Sequence, residues 1–377
     1  MKSKLGQELV VLHLIARLNL GGTAKYLITL NDGLNKAGVK SLIATGYVQT
    51  GEIEDLEVKK LKPIRIKNLG RKISLINDLK AAKEVRKVIV KVNPDVIHTH
   101  TFKAGLLVRA QRNRIEEGIG KKVKFVHSFH GHLFDDPEFK GFKALAIKRI
   151  EKRLSKSSDQ LITVGEIVKS DLDSKGIYGK NKTISIPPAV TPLKLQSKSS
   201  ALKKYGVKNQ NRVRVLWLAR VTGVKNPQRV IEIAKRLSEI DFYLAGGGDL
   251  LERVKIQAPR NLKVLGWQDA KSILPIADIF LSTSENEGMP IALIEAQLAA
   301  IPVVATNVGS VPEVILHNKS GLICSKSNDE LVAAIKKLAQ SKALRSKFGK
   351  AGRVYALKSF SEKNLISAHK NLYLKLK

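Results

Sequence analysis

Cysteine is almost absent. Cys324 is the only one in the chain, which excludes an internal disulfide framework and suits a reducing compartment. Long apolar runs are missing as well: no stretch approaches the roughly 20 apolar residues that a membrane-crossing helix needs, and residues 1–8 lack the apolar centre of a secretory signal. Aromatic residues make up 5% of the chain. None interleave with the basic runs as base-stacking platforms do, which weighs against a specific nucleic-acid partner. Acidic residues are scarce beside basic ones, 33 Asp and Glu against 67 Lys and Arg, for a formal net charge of +34. That excess predicts affinity for polyanions without choosing among anionic lipid, nucleic acid and nucleotide phosphates. The expected location is cytoplasmic, free or peripheral on the inner face of the cell membrane.

A chain of 377 residues has room for two domains, each with its own core. Residues 9–15 (LVVLHLI) form a continuous apolar run bounded by polar residues, the pattern of a strand covered on both faces. Further short strands are expected at 41–44, 95–98, 123–126, 160–164 and 183–186, with helical segments between them, the first over about 24–35. The second half repeats the scheme at 214–218, 242–244, 262–265, 278–281, 302–305 and 322–324. Alternating strands and helices predict parallel sheets with helices on both faces, an α/β class. The linker is placed at 187–200, where prolines, serines and lysines interrupt the apolar pattern. Residues 330–338, 343–355 and 362–374 read as helices with no strand after them.

Chemistry concentrates at 284–296 (SENEGMPIALIEA), between a buried strand near 277–283 and a helical period carried by Ile291, Leu293, Ile294 and Leu298. Gly288 lets a ligand approach the backbone, and Pro290 suits a first helical turn. Amides around Gly288 and Met289 would then favour an anion at the helix N-terminus. Glu287 in the turn and Glu295 two turns later could accept hydrogen bonds from hydroxyls, although such pairs are also common on solvated helix faces. Gly21 and Gly22, between the first strand and helix, suit either a plain turn or a close approach to ligand. Arg220 and Lys225 follow the strand at 214–218, on a loop where two cations could neutralise a diphosphate. Gly246-Gly247-Gly248 is a weak glycine signal.

Histidines His98, His100, His127, His130 and His132 invite a metal reading, but no cysteine or carboxylate completes a ligand pattern, and hydrogen-bonded histidines near strand ends are commoner. His98 and His100 alternate and so share a sheet face. Asp171-Leu172-Asp173 lies in an expected helix, where residues two apart point in different directions, so it is not read as a metal site. Residues 139–158 mix seven Lys and Arg with Phe139, Phe142, Leu145, Ile150 and Leu154. This composition fits an amphipathic helix on an anionic bilayer, or a helix packed on its own sheet with a solvated basic face.

Glu287-x7-Glu295 within EGMPIALIEAQLAAIPVVATNVGSVPEVI resembles the E-x7-E signature of retaining glycosyltransferases of the family 4 type, which have the GT-B fold. The resemblance extends over nearly the whole chain. It implies two Rossmann-like doubly wound parallel-sheet domains facing a central cleft: an acceptor-side domain over 1–188, rejoined by a final helix over 361–377 fastened through Leu365, Leu372 and Leu374, and a donor-binding domain over 189–360. In that family the first Glu contacts the donor sugar and the second holds the ribose, which gives those roles to Glu287 and Glu295, with Gly288, Met289 and Pro290 beside them. Gly21 and Gly22 would face the donor phosphates and sugar. Arg220 and Lys225 match the phosphate-binding pair, with Asn226 where the family often has Gly. His130, in FVHSFHGH, would lie by the donor sugar and the reacting centre, and the HGH spacing with His132 resembles a subset acting on polysaccharide or lipid-linked acceptors. Leu265-Gly266-Trp267 resembles the loop near the nucleobase.

The implied reaction moves a sugar from a nucleotide-sugar donor, a UDP-sugar in preference to a GDP-sugar, to a hydroxyl of a glycan or polyprenyl-linked acceptor of the cell envelope. Anomeric configuration would be retained, with neither cofactor nor essential metal. A nucleotide-sugar 2-epimerase shares the twin-domain architecture, but needs further acid/base carboxylates that the sequence does not single out.

Overall fold

The computed structural model describes residues 8–19, 21–50, 52–55, 57–70, 74–131, 142–207 and 211–377; His132 and residues 139–141 lie outside them. The chain divides into two compact units, Met1–Ala189 with Glu362–Lys377, and Val190–Ser361.

In the first unit, β1 (Val10–Ile15), β2 (Lys40–Thr45), β3 (Ile64–Arg65), β4 (Val96–His100), β5 (Lys124–Phe129), β6 (Gln160–Thr163) and β7 (Ile184–Ser185) form one parallel sheet in the order β3-β2-β1-β4-β5-β6-β7. The crossovers are α1 (Gly22–Lys36), α2 (Val58–Leu61), α3 (Leu75–Val92), α4 (Phe102–Arg109), α5 (Arg112–Ile119), α6 (Phe142–Lys156) and α7 (Glu166–Ser174). Strand periodicity sorts the two cores. Leu12 and Leu14 pack with Ile97, Phe125, Val85 and Ile89 on one face. Val11 and Ile15 pack with Val126, Ile162, Leu27, Leu30 and Leu34 on the other. β1 is therefore apolar on both sides, as its run predicts, apart from one histidine.

The second unit holds β8 (Arg214–Leu218), β9 (Asp241–Ala245), β10 (Leu262–Gly266), β11 (Ile279–Ser282), β12 (Val303–Thr306) and β13 (Gly321–Cys324), parallel in the order β10-β9-β8-β11-β12-β13. Around it run α8 (Lys198–Lys204), α9 (Pro227–Arg236), α10 (Leu251–Gln257), α11 (Ala270–Ile273), α12 (Ile291–Leu298), α13 (Val311–Val314), α14 (Asn328–Ala339) and α15 (Lys342–Ser359). Start signals are local: Ser327 and Ser341 cap α14 and α15 by accepting from the Asp329 and Leu344 amides.

The last helix, α16 (Glu362–Leu376), packs on α1 in the first unit. Gly33 of α1 allows the approach, since a Cβ there would lie 2.1 Å from Ile366 Cδ1. Leu365 and Tyr373 are buried, whereas Leu374, expected on the packed face, is 52% exposed because its neighbour Tyr373 takes the inward position.

Candidate active site

A doubly wound sheet opens a ligand crevice where the strand order reverses, beyond the carboxyl ends of the two strands that flank the reversal. In the second unit that point lies between β8 and β11. Arg220 and Lys225 follow β8, and Glu285 and Glu287 follow β11. The two loops meet: Lys225 Nζ is 2.6 Å from Glu287 Oε1, which also accepts from Ser284 Oγ at 2.7 Å. Arg220 is exposed, and its guanidinium has no protein partner among the described residues. A cation without a protein partner on the loop that carries a neutralised pair gives that loop capacity for an incoming anion.

The framework holding these groups is built from residues that spacing alone does not reveal. Trp217 Nε1 donates to Thr283 Oγ1 at 3.0 Å, and that hydroxyl lies 3.0 Å from the Lys225 carbonyl and 2.9 Å from that of Asn226, so the end of β11 is stitched to the Lys225 loop. Asn226 adopts φ 46°, a left-handed conformation that glycine takes freely and asparagine tolerates. Its Oδ1 caps α9 by accepting from the Arg229 amide, ahead of Pro227 at the first helical position, while its Nδ2 donates to Glu285 Oε1 at 2.7 Å. Glu285 also pairs with Arg229 and Lys326, both at 2.9 Å. Burial raises its pKa, but Asn226, Lys326 and Arg229 outweigh that and lower it overall.

Pro290 stands just before α12 rather than inside its first turn: its carbonyl accepts from the amides of Leu293 and Ile294. Pro290 at the cap position has no side-chain hydrogen bond to offer, so the leading amides of α12 suit a ligand. Gly309, at φ 47°, packs under the turn, where a Cβ would sit 1.7 Å from the Glu287 carbonyl oxygen. Gly288 accepts from the Ser310 amide at 3.3 Å, and Met289 packs against the core. Glu295, on α12, is only 7% exposed. Gly246 and Gly248 press on the Ala219 and Val221 backbone, so this glycine loop braces the segment that carries Arg220. Trp267 is 60% exposed and forms no part of the core.

In the first unit the strand order reverses between β1 and β4, and a histidine cluster marks that point. His13 on β1 and His98 and His100 on β4 share one sheet face, with His369 and Tyr373 of α16 and Tyr26 of α1 against them. His13 Nδ1 lies 3.1 Å from His100 Nε2, and His100 Nδ1 lies 3.0 Å from His130 Nε2. His98 Nδ1 meets Tyr373 Oη at 2.6 Å and its Nε2 meets Ser128 Oγ at 2.7 Å. The set differs from the one imagined in sequence. His127 points to the opposite face, where it meets Thr99 Oγ1 at 2.8 Å and approaches Glu151 of the buried Arg109–Glu151 pair. Ligand nitrogens of His13, His98 and His100 lie within 4.8 Å of one another, close enough for a metal. Both nitrogens of His98 and of His100 have hydrogen-bond partners in this arrangement, so the cluster forms a hydrogen-bonded network.

Burial drives the His13 pKa down to about 3, with nearby His369 adding to the effect. The same two causes take half-buried His130 to about 4. Thr101, directly after His100, is held at φ 68° and ψ 151°, a conformation costly for any residue with a side chain. Gly22 opens α1, and at Gly21 an added Cβ would meet open space, so packing does not require that glycine.

Two further sequence features resolve simply. Asp171 and Asp173 lie on α7, with Asp171 paired to Lys175. Helix α6 buries Ile147, Glu151 and Leu154 against its own unit and exposes Arg149, Lys152, Arg153 and Lys156 together with Leu145 and Ile150.

Two family models match consecutive parts of the chain: Glycosyltransferase Family 4 over residues 20–192 and Glycosyl transferases group 1 over 199–355. An Escherichia coli UDP-Gal:alpha-D-GlcNAc-diphosphoundecaprenol alpha-1,3-galactosyltransferase is 27% identical over 316 residues, covering 78% of this chain and 79% of that protein. Sucrose-phosphate synthase from Thermosynechococcus elongatus superimposes with a TM-score of 0.81 at 17% identity, covering 98% of this chain and 99% of that one. Anabaena HepE, in complex with UDP-glucose, gives 0.79 at 16% identity over 98% and 100%. These likenesses establish the GT-B architecture of two Rossmann-like domains.

Proposed function

We propose that this chain, a GT-B-fold glycosyltransferase related to family 4, moves a sugar from a UDP-sugar to a hydroxyl of a lipid-linked or cell-envelope glycan, retaining the anomeric configuration. One observation carries the reading: at the strand-order reversal of the second unit, Lys225 is drawn to 2.6 Å from Glu287 while the exposed guanidinium of Arg220, on the same loop after β8, has no protein partner among the described residues. Loss of a nucleoside diphosphate leaves charge on phosphate oxygens, and preorganised cations there lower the barrier most. Arg220 and Lys225 stabilise that phosphate, Glu287 and His130 position the sugar, and Glu295 holds the ribose. The acceptor attacks from the leaving-group side, and the departing phosphate takes its proton. Support for the UDP donor and the lipid-linked acceptor comes from the galactosyltransferase relative, whose name specifies both.

Calorimetry with UDP tests the donor site. The wild type is expected to bind, and Glu295→Gln to bind more weakly while its turnover at saturating donor changes less. UDP affinity untouched while activity vanishes would reverse the roles of the two glutamates.

The exposed cations of α6, together with Leu145 and Ile150, support a peripheral membrane contact through 139–158, each basic residue near an anionic surface contributing about 1 kcal/mol. No helix among the described residues is long and apolar enough to cross a membrane. Co-sedimentation with anionic vesicles is expected at low salt and should fade near 1 M, where the Debye length is roughly 3 Å. Charge reversal at Arg149, Lys152, Arg153 and Lys156 should release the protein and leave hydrolysis of a soluble donor unchanged. Failure of the wild type to co-sediment at low salt removes the membrane contact.

A further inference from the structure

The three rings His13, His100 and His130 form an unbranched chain: His13 Nδ1 to His100 Nε2 at 3.1 Å, then His100 Nδ1 to His130 Nε2 at 3.0 Å. In a neutral imidazole one nitrogen donates and the other accepts, so the protons along such a chain must all run the same way. The end of the chain decides which way. His13 Nε2 is buried without a partner. An orphaned N–H is rarer and costlier in a protein interior than an unpartnered lone pair, so His13 Nε2 bears the lone pair and its proton sits on Nδ1.

We propose that His13 and His100 are positioning residues that fix His130 as its Nδ1–H tautomer. His13 Nδ1–H donates to His100 Nε2, His100 Nδ1–H donates to His130 Nε2, and His130 is left with its proton on Nδ1. That nitrogen is then a hydrogen-bond donor and not a base, suited to an oxygen of a bound sugar or to oxygen carrying developing charge. Neighbouring contacts fix the ring planes. His369 Nδ1 lies 2.9 Å from the Leu365 carbonyl, which can only accept, so His369 Nε2 accepts from Tyr26 Oη at 3.0 Å. Tyr26, so oriented, meets the His130 ring edge-on with centroids 4.9 Å apart. His98 packs beside His100 at 4.1 Å between centroids. Burial keeps His13 and His100 neutral, as the chain requires. The role toward sugar rests on the proposed transfer reaction; the tautomer assignment does not.

Imidazole nitrogen shifts of the full-length protein labelled with 15N-histidine, at neutral pH, read the tautomers without any ligand. With eight histidines in the chain the spectrum can be assigned by single replacements. His13, His100 and His130 are expected as single Nδ1–H tautomers. His13→Leu, which does not touch His130, should turn His130 into a tautomer mixture, and His13→Asn, which restores an N–H near the Nδ1 position, should return the single form. His130 found with its proton on Nε2 in the wild type, or unmoved by His13→Leu, overturns the assignment. If His13→Leu does not fold, the wild-type spectrum alone decides. Absence of donor binding in a protein with the expected tautomers would count against the transfer reading and leave the chain of protons standing.

Discussion

Between pH 6 and pH 5 the first unit is expected to lose about 1 kcal/mol of stability for each buried histidine, several kcal/mol in all, while the second unit stays nearly unchanged. His13, His98, His100, His127 and His369 are all buried. Burial and neighbouring groups lower His13 to about 3 and burial lowers His369 to about 4; the other three also fall well below the ordinary value. In the unfolded chain each titrates near 6.5. Between that value and the folded one the unfolded state binds more protons, so stability rises with pH. The full contribution is present above about pH 6.5 and declines as pH falls toward 4. Solvent reaches half-buried His130, so it is left out of the sum. The second unit carries only the exposed His317. Scanning calorimetry at pH 7, 6 and 5 should show one transition moving down sharply while the other holds. Equal shifts, or none, would mean that the buried histidines are charged or solvated in the folded protein.

Removing either phosphate-directed cation, by Arg220→Ala or Lys225→Ala, is expected to lower turnover by roughly 2 to 4 kcal/mol of transition-state stabilisation, about thirtyfold to a thousandfold. The two variants should differ in donor affinity. Arg220 has no protein partner among the described residues, so its loss disturbs only what it would bind. Lys225 lies 2.6 Å from Glu287, and its removal leaves Ser284 Oγ as that carboxylate's remaining side-chain donor among the described residues, raising KM as well. Steady-state kinetics with a turned-over donor separates these effects. Near-wild-type turnover in both variants would end the phosphate assignment.

Much of this architecture was legible because parallel strands covered on both faces leave apolar runs, and residues 214–218 were bounded without error. The positions of Arg220, Lys225 and Glu287 on loops after β8 and β11 were legible from the same strand pattern, and Glu295 was placed within α12 by its helical period; the roles given to all four came from the resemblance. The histidine network was not. His13 sits inside LVVLHLI and reads as an interruption of a hydrophobic strand, because its partner His100 lies on β4, and the pairing of β1 with β4 depends on strand order rather than local pattern. Tyr373 and His369 join from the far end of the chain, through a helix whose inward face the sequence assigned to Leu365, Leu372 and Leu374. β3 was missed because two residues carry no periodicity. Gly309 lies within the 287–315 stretch that carries the motif, yet the need for it appears only when the Glu287 carbonyl is seen 1.7 Å from the space its Cβ would take.

Sugar transfer from a nucleotide donor with retained configuration is tested most directly by incubating the purified protein with a panel of nucleotide sugars, without acceptor, and following the products by NMR. The expected result is slow release of UDP from at least one UDP-sugar, with the first-formed free sugar in the donor's anomeric configuration and release strongly reduced in Lys225→Ala. No nucleoside diphosphate from any donor, a first-formed sugar of inverted configuration, or an epimerised sugar accompanying UDP would contradict it.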